Sequence, residues 1–434
     1  MVRVWQDQAF AAHTLDAELS GRRLDPRDAR LATELVYGVL RTRRVLEQRL
    51  DAHANRRGYK RKPAILAPLL IGAYSVLFLE RIPTHAAVDE AVRGVRTAGD
   101  RRVAGFANAV LRKLAAERER DGPGDLDEAF VAATPPWLRA SLARTVGDRA
   151  ARALVTGEPV APQGICLGAG QDRAAWLAEL RRAVPKAVVE PWRLSPQCIL
   201  LAAAGDLRRL PGAGVDWIAQ EEGAQVVALA LGARQAESVL DACAGRGGKS
   251  FVLADAVGAE GAVDAADRSP AKLERLLRAP PHGARLRHTF AVDWSRGSGE
   301  VPAGYDRALV DAPCSGVGTL RRRPEIAARL TVGDPARLGA LQVAIVRRVA
   351  TRVRTGGRLV FAVCSVLAEE TDGVVDALCA RGSEGGDWAA VLEPCPFDSP
   401  LVRELSAGAS RLRLLPAEHG TDGYFMASFV VRRP

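Results

Sequence analysis

Ser238-Val-Leu-Asp-Ala-Cys-Ala-Gly-Arg-Gly-Gly-Lys-Ser250 is the stretch from which the fold of this chain is read. Val239 and Leu240 form a short apolar run that reads as a buried strand ending at Asp241. Gly245, Gly247 and Gly248 follow, then Lys249 and the helix-like Phe251-Val-Leu-Ala-Asp255. Strand, glycine turn and helix start together let a cofactor lie against bare backbone and the N–H groups of a helix end. Alone, such a loop can equally be a tight turn. It is also too short for the GxxxxGK[ST] spacing of a phosphate-binding loop.

Two later stretches repeat the arrangement. Arg307-Ala-Leu-Val310 reads as a strand running into Asp311-Ala-Pro-Cys-Ser-Gly316, and Arg358–Val363 as another running into Cys364-Ser365. Ligands of open α/β sheets bind outside the carboxyl ends of the strands. Three strands are therefore expected to deliver an acid, an acid with a cysteine, and a cysteine to one edge. Gly261–Asp267 reads as a further strand closing on an acid, roughly 20 residues beyond the glycine loop, the spacing suited to a ribose-binding carboxylate. Asp264 competes for that role. Phe290-Ala-Val-Asp293 is another candidate strand ending in an acid, suited to accept from an adenine amine. Leu338, Leu341, Ile345, Val349 and Val353 step as one helix face, with Gly356-Gly357 expected to cap that helix.

Outside this region the chain reads differently. Residues 1 to about 130 carry helical periodicity, as in Leu31, Leu35, Val36, Val39 and Leu40. The apolar run Ala64–Leu79 is too short for a membrane span, contains Pro68 and meets Glu80-Arg81 at once, so a buried core helix is expected. Asp121-Gly-Pro-Gly124 and Thr134-Pro-Pro136 punctuate a linker region. The expected organisation is an all-helical domain at 1–133, a linker with a small mixed subdomain at 134–218, and an α/β domain at 219–434.

A formal charge of +10 favours an acidic partner such as nucleic acid. Arg56-Arg-Gly-Tyr-Lys-Arg-Lys62 is the densest basic cluster of the first half, with Tyr59 as a possible stacking ring. Arg321–Arg323 is a second basic run, read as an RNA phosphate contact. The seven cysteines form no CxxC pair, which argues against a metal. Their odd number and the absence of an apolar leader point to reduced thiols and a cytoplasmic location.

The chemistry follows from the two cysteines. Hydride transfer needs neither Cys314 nor Cys364. Carbon 5 of a pyrimidine becomes nucleophilic once something adds to carbon 6, and a thiolate does this well. Asp241–Lys249, Asp311–Gly316 with Arg321-Arg-Arg-Pro-Glu325, and Val363-Cys-Ser-Val366 resemble the RNA cytosine-5 methyltransferases of the NOL/NOP/Sun type. Asp422-Gly-Tyr-Phe-Met-Ala427 resembles that family's last strand. Leu35–Arg41, Ile82–Val88 and Phe106–Arg112 resemble a NusB-type RNA-binding domain. The pairing is similar to that of bacterial enzymes methylating a cytosine in small-subunit ribosomal RNA.

The resemblance implies an all-α NusB-like domain followed by an α/β Rossmann-like domain dependent on S-adenosylmethionine. It implies Cys364 as nucleophile, Cys314 in product release, Asp311 orienting the base, and Asp267 and Asp293 holding the cofactor. Cys243, Ala244, Gly245, Arg246, Gly247, Gly248 and Lys249 form the cofactor loop, with Lys249 and Asp311 also placed to touch the reacting groups. The expected partner is RNA, 16S ribosomal RNA in particular, with no metal, no membrane and a monomeric chain. Two other readings are a non-catalytic RNA-binding or ribosome-assembly factor, and a DNA cytosine methyltransferase, in which the nucleophile would stand at Cys314. The family's usual Ala-Pro before Gly-Gly-Lys is Gly245-Arg246 here, and its usual Thr before the nucleophile is Val363.

Overall fold

The computed structural model describes residues 1–433 apart from 22–23, 55–58, 60–61, 100, 158–160, 279–285 and 381–389. By internal contacts the chain divides into two units. One comprises Met1–Ala143, Ala151–Ala161 and Thr319–Leu330, and the other Arg144–Ala150, Pro162–Gly318 and Thr331–Pro434.

The first unit is helical. Its helices Pro26–His53, Pro63–Phe78, Thr84–Thr97 and Arg101–Asp121 surround one core. Pro63–Phe78 is apolar on every side and is accordingly wrapped by its neighbours, with Leu69, Leu70, Ala73, Tyr74 and Val76 fully buried. Among the described residues no helix is long and apolar enough to cross a membrane. Tyr59, read above as a stacking ring for nucleic acid, is instead a core residue. It is buried against Phe106 and donates its hydroxyl to Asp51 Oδ1 at 2.7 Å. Most of the basic cluster around it, Arg56, Arg57, Gly58, Lys60 and Arg61, lies outside the described residues. The segment Thr319–Leu330 packs within this unit, where the Ala11 amide donates to Glu325 Oε1 at 3.1 Å and Arg329 donates to the Val4 and Ala9 carbonyls. Arg323 of the second basic run stands over the Phe10 ring at 5.8 Å.

The second unit carries two sheets. Strands β1 (Gln163–Leu167), β2 (Val188–Pro191), β3 (Cys198–Ala202) and β4 (Trp217–Ala219) form a small antiparallel sheet in the order β2-β3-β1-β4. Helix Arg173–Ala183 covers it through Leu180 and the buried Trp217. The large sheet contains β5 (Ser238–Asp241), β6 (Ala262–Asp267), β7 (His288–Ala291), β8 (Tyr305–Asp311), β9 (Val353–Val363), β10 (Val391–Pro394), β11 (Arg411–Leu414) and β12 (Tyr424–Arg432). Its order is β10-β12-β9-β8-β5-β6-β7, with β11 paired to β12. Strands β5 to β9 run parallel, and β12 runs antiparallel to β9, β10 and β11. The strands buried on both faces are near-continuous apolar runs, such as Leu359–Val363. Chain order reverses between β5 and β8, which makes their carboxyl ends the switch-point crevice of an α/β sheet.

Two sequence expectations need correction here. Gly356-Gly357 do not cap the preceding helix, which spans Asp334–Ala350 and ends with Thr351 as its cap. The glycines lie inside β9 at a register shift against β8, where Gly356 has φ 77° and a Cβ on Gly357 would meet the Asp306 carbonyl at 2.7 Å. Val353, counted on the helix face, begins that strand. The strand before Asp293 also stops early, at Ala291, so Asp293 sits in the following turn.

Candidate active site

The glycine loop bends back from β5 through left-handed backbone at Gly245 (φ 59°) and at Gly247 (φ 83°), which caps helix Gly248–Val257. A side chain at Gly247 would strike Leu276 Cδ1 at 2.7 Å as well as strain the backbone. The loop is tied to the next strand end, since the Gly245 amide donates to Asp267 Oδ2 at 3.0 Å and the Ala244 amide to the Ala266 carbonyl at 2.9 Å. Asp267 also accepts from the Ser269 amide at 2.8 Å and lies 3.4 Å from Lys272 Nζ. Cys243 packs against the sheet core, and burial pushes its thiol well above the ordinary value. Arg246 is exposed.

Asp264 and Asp267 part company. Asp264 is fully buried, and its oxygens accept from Arg287 Nε and Nη2, the His288 amide and Tyr305 Oη at 2.6–3.0 Å. It is spent on joining β6 to the starts of β7 and β8. Asp293 accepts from the Ser295 amide and hydroxyl at 3.0 and 2.6 Å, and those bonds hold its carboxyl below the usual range.

Across the switch point, Lys249 Nζ donates to Asp311 Oδ2 at 2.6 Å, with both side chains largely buried. Burial alone would draw the ammonium toward neutrality; the Asp311 carboxylate outweighs it and raises the Lys249 pKa. Asp241 lies fully buried beneath, accepting from Ser250 Oγ at 2.7 Å, and burial pushes its pKa up to about 6.

The loops after β8 and β9 bring Cys314 Sγ to 3.4 Å from Cys364 Sγ. The neighbouring sulfur, then burial, pushes the Cys314 thiol well above its ordinary value. Two supports hold this geometry. The Gly318 amide donates to the Cys364 carbonyl at 3.0 Å, and the Gly423 amide to the Gly318 carbonyl at 2.8 Å. A Cβ on Gly318 would lie 1.9 Å from the Gly423 oxygen, so no other residue fits there without displacing the loop. The second support is Glu370, in the turn Ala368–Glu370, whose carboxylate accepts from Ser315 and from Ser365, the residues following the two cysteines. Sequence reasoning missed Glu370. Its neighbour Glu369 is exposed and chemically identical, and only the loop's path sends one inward.

The structure thus gathers Lys249, Asp311, Cys314 and Cys364 at the β5, β8 and β9 ends, and the glycine loop with Asp267 at the β5 and β6 ends. Among the described residues no cluster of His, Cys, Asp or Glu could hold a metal ion. The glycine loop offers bare backbone beside an acid, which fits a nucleoside cofactor. The sulfur pair offers a nucleophile beside a second thiol.

Residues 228–430 match the family described as 16S rRNA methyltransferase RsmB/F, and residues 3–116 match the NusB family. The chain is 30% identical over 443 residues to the probable ribosomal RNA small subunit methyltransferase B of Bacillus subtilis (strain 168), covering 99% of this chain and 96% of that protein. It is 33% identical to a putative methyltransferase of Mycobacterium tuberculosis (strain ATCC 25618 / H37Rv), covering 97% of this chain and 92% of that protein. Among solved structures, that of PH0851 superposes with a TM-score of 0.76 at 19% identity, covering 93% of this chain and 90% of that one. NSun6 from Pyrococcus horikoshii gives 0.55 at 17% identity, covering 68% and 98%. These two likenesses are of fold.

The buried acid generates a pH prediction. A carboxyl whose pKa is higher folded than unfolded favours the folded state while protonated. That contribution is present below the unfolded value near pH 4 and is lost as pH rises through about 6. Denaturant titrations between about pH 4 and 7 should show the unaltered chain losing on the order of 1–3 kcal/mol relative to Asp241→Asn. Parallel pH profiles for the two chains would contradict the burial of a titrating Asp241.

Proposed function

The chain belongs to the RsmB/F family of 16S rRNA methyltransferases, with S-adenosylmethionine as its cofactor, and from that premise we propose that it methylates carbon 5 of a cytosine in RNA through a cysteine adduct at carbon 6. The substrate is 16S ribosomal RNA, as the names of the relatives suggest, and the chain acts as a cytoplasmic monomer. Residues 1–133 serve as its NusB-like RNA-binding domain, 134–218 as a linker with a small RNA-recognition subdomain, and 219–434 as the catalytic domain.

One observation carries this reading: two thiols 3.4 Å apart at adjacent strand ends, beside a carboxylate held by a lysine. The backbone from Cys243 through Ala244, Gly245, Arg246, Gly247 and Gly248 to Lys249 cradles the cofactor, Asp267 accepts from its ribose hydroxyls, and Asp293 accepts from its adenine amine. The cofactor supplies an electrophilic methyl group. Cys364 Sγ, as thiolate, adds to carbon 6 and pushes electron density onto carbon 5. Asp311 accepts from the exocyclic amine and from the ring nitrogen as that nitrogen takes a proton from water, and Lys249 Nζ holds Asp311 in place. Carbon 5 gains the methyl group. Removal of the carbon 5 proton then lets the Cys364–carbon 6 bond break and restores the ring. Water takes that proton, and Cys314 assists this last step with its sulfur 3.4 Å from the departing sulfur of Cys364.

Charge-assisted hydrogen bonds contribute about 1.5–3 kcal/mol, so Asp267→Ala should weaken cofactor binding about tenfold or more by calorimetry. Unchanged affinity would remove Asp267 from the ribose site. The cysteines are told apart by where the reaction stops. Cys364→Ala should abolish both methyl transfer and covalent capture of RNA while leaving cofactor binding intact. Cys314→Ala should transfer the methyl group and then stall, leaving a protein–RNA adduct that survives a denaturing gel. An adduct in Cys364→Ala and none in Cys314→Ala would reverse the two roles.

A further inference from the structure

Glu370 is a fully buried carboxylate away from the strand ends that bear the chemistry. Taking such a group out of water costs several kcal/mol unless donors replace the lost solvent. Here they do. Oε1 accepts from the Ser315 amide at 2.7 Å and from Gln342 Nε2 at 3.2 Å; Oε2 accepts from Ser365 Oγ at 2.7 Å and from Ser315 Oγ. The two hydroxyls also lie 3.2 Å from each other, and Gln342 Nε2 reaches the Pro313 carbonyl at 3.0 Å. Every member of this set belongs to, or touches, one of the two cysteine loops. Pro313 and Ser315 flank Cys314, and Ser365 follows Cys364.

We propose that Glu370 is a positioning residue that acts through Ser315 and Ser365 to hold the sulfurs of Cys314 and Cys364 side by side. The loops come from different strands, β8 and β9. One carboxylate with two oxygens can take a donor from each loop at once; a serine, an amide carbonyl or an apolar side chain cannot take all four. Burial and the loss of solvent raise the Glu370 pKa while its donors pull it down, consistent with a group that needs its full set of partners. The proposal deepens the two-cysteine reading and rests on it for its consequence: a shift of about 1 Å between reacting groups can cost on the order of 100-fold in rate.

The test reads sulfur placement without any RNA. Diamide removes two electrons and two protons from a thiol pair, giving a disulfide and the reduced diamide, and the sulfurs need only close from 3.4 Å to about 2.05 Å. Cross-linking of Cys314 to Cys364, followed by peptide mass mapping, should slow about tenfold or more in Glu370→Ala. Ser315→Ala combined with Ser365→Ala, which leaves the carboxylate in place, should also slow it and carries the test if Glu370→Ala does not fold. Glu370→Gln keeps an acceptor for the Ser315 amide and offers donors to both hydroxyls, and should recover most of the cross-linking rate. In methyl transfer, Glu370→Ala should lower kcat on the order of 100-fold with the cofactor KM nearly unchanged. Cross-linking at the unaltered rate in the folded variants would overturn the proposal, as would equal losses in cofactor affinity and kcat with no change in cross-linking. Because cross-linking needs no substrate, it can succeed or fail independently of whether cytosine is the base methylated.

Discussion

The parallel register of β5, β8 and β9 is the constraint on which the site depends. Asp241 stands opposite Leu309, and Asp311 opposite Ala362, so each strand ends slightly beyond its neighbour. That stagger sets Asp241 below, Asp311 at the rim and Cys364 just past it. A slip of one residue in either pairing would turn the terminal acid to the other face of the sheet. The register is held by apolar runs that cannot leave the core, notably Leu309, Val310, Val360 and Phe361, and by the antiparallel strand β12 locked against β9. Much of the chain's apolar burial thus serves to aim a handful of polar groups.

Charge is handled differently at the two ends of the same strands. At the amino ends, ionic groups are saturated: Arg307 is buried between Glu237 at 2.6 Å and Asp398 at 2.8 Å, and Asp398 also meets Arg358 and Arg234. Asp264 is saturated in the same way by Arg287 and Tyr305. At the carboxyl ends the groups are fewer and less fully compensated, with Lys249 facing Asp311 alone among its ion pairs and Asp241 pushed up to about 6. Perturbed groups of this kind gather where chemistry is done. Glu370 bridges the two styles, since it is saturated like a structural acid yet bound wholly to the loops that carry the sulfurs.

The strands that bear the candidate site were legible in the sequence because buried parallel strands are continuous apolar runs with an abrupt polar stop, as in Val239-Leu240-Asp241 and Phe361-Ala-Val-Cys364. The helical class of the first unit and the α/β class of the second followed from periodicity in the same way. Local pattern could not rank Asp264 against Asp267, because both close the same apolar strand, and only pairing with β7 and β8 gives Arg287 and Tyr305 to one of them. Gly356-Gly357 misled for a related reason: a glycine pair after a helix and a glycine bulge within a strand look alike until the partner strand is placed. Tyr59 lay in a basic run, and its packing against Phe106 is a long-range contact that composition does not encode. The network around Glu370 was out of reach too, since it joins three segments that are distant in sequence.

The central claim is that two sulfurs at one sheet edge direct methylation to carbon 5 of cytosine in RNA. The most direct measurement incubates the purified chain with unmethylated 16S ribosomal RNA and methyl-labelled S-adenosylmethionine, digests the RNA to nucleosides, and identifies the labelled one by mass spectrometry. Label in 5-methylcytidine, lost when Cys364 is replaced by alanine, is the predicted result. Label in any other nucleoside, or 5-methylcytidine formed undiminished without Cys364, would contradict it.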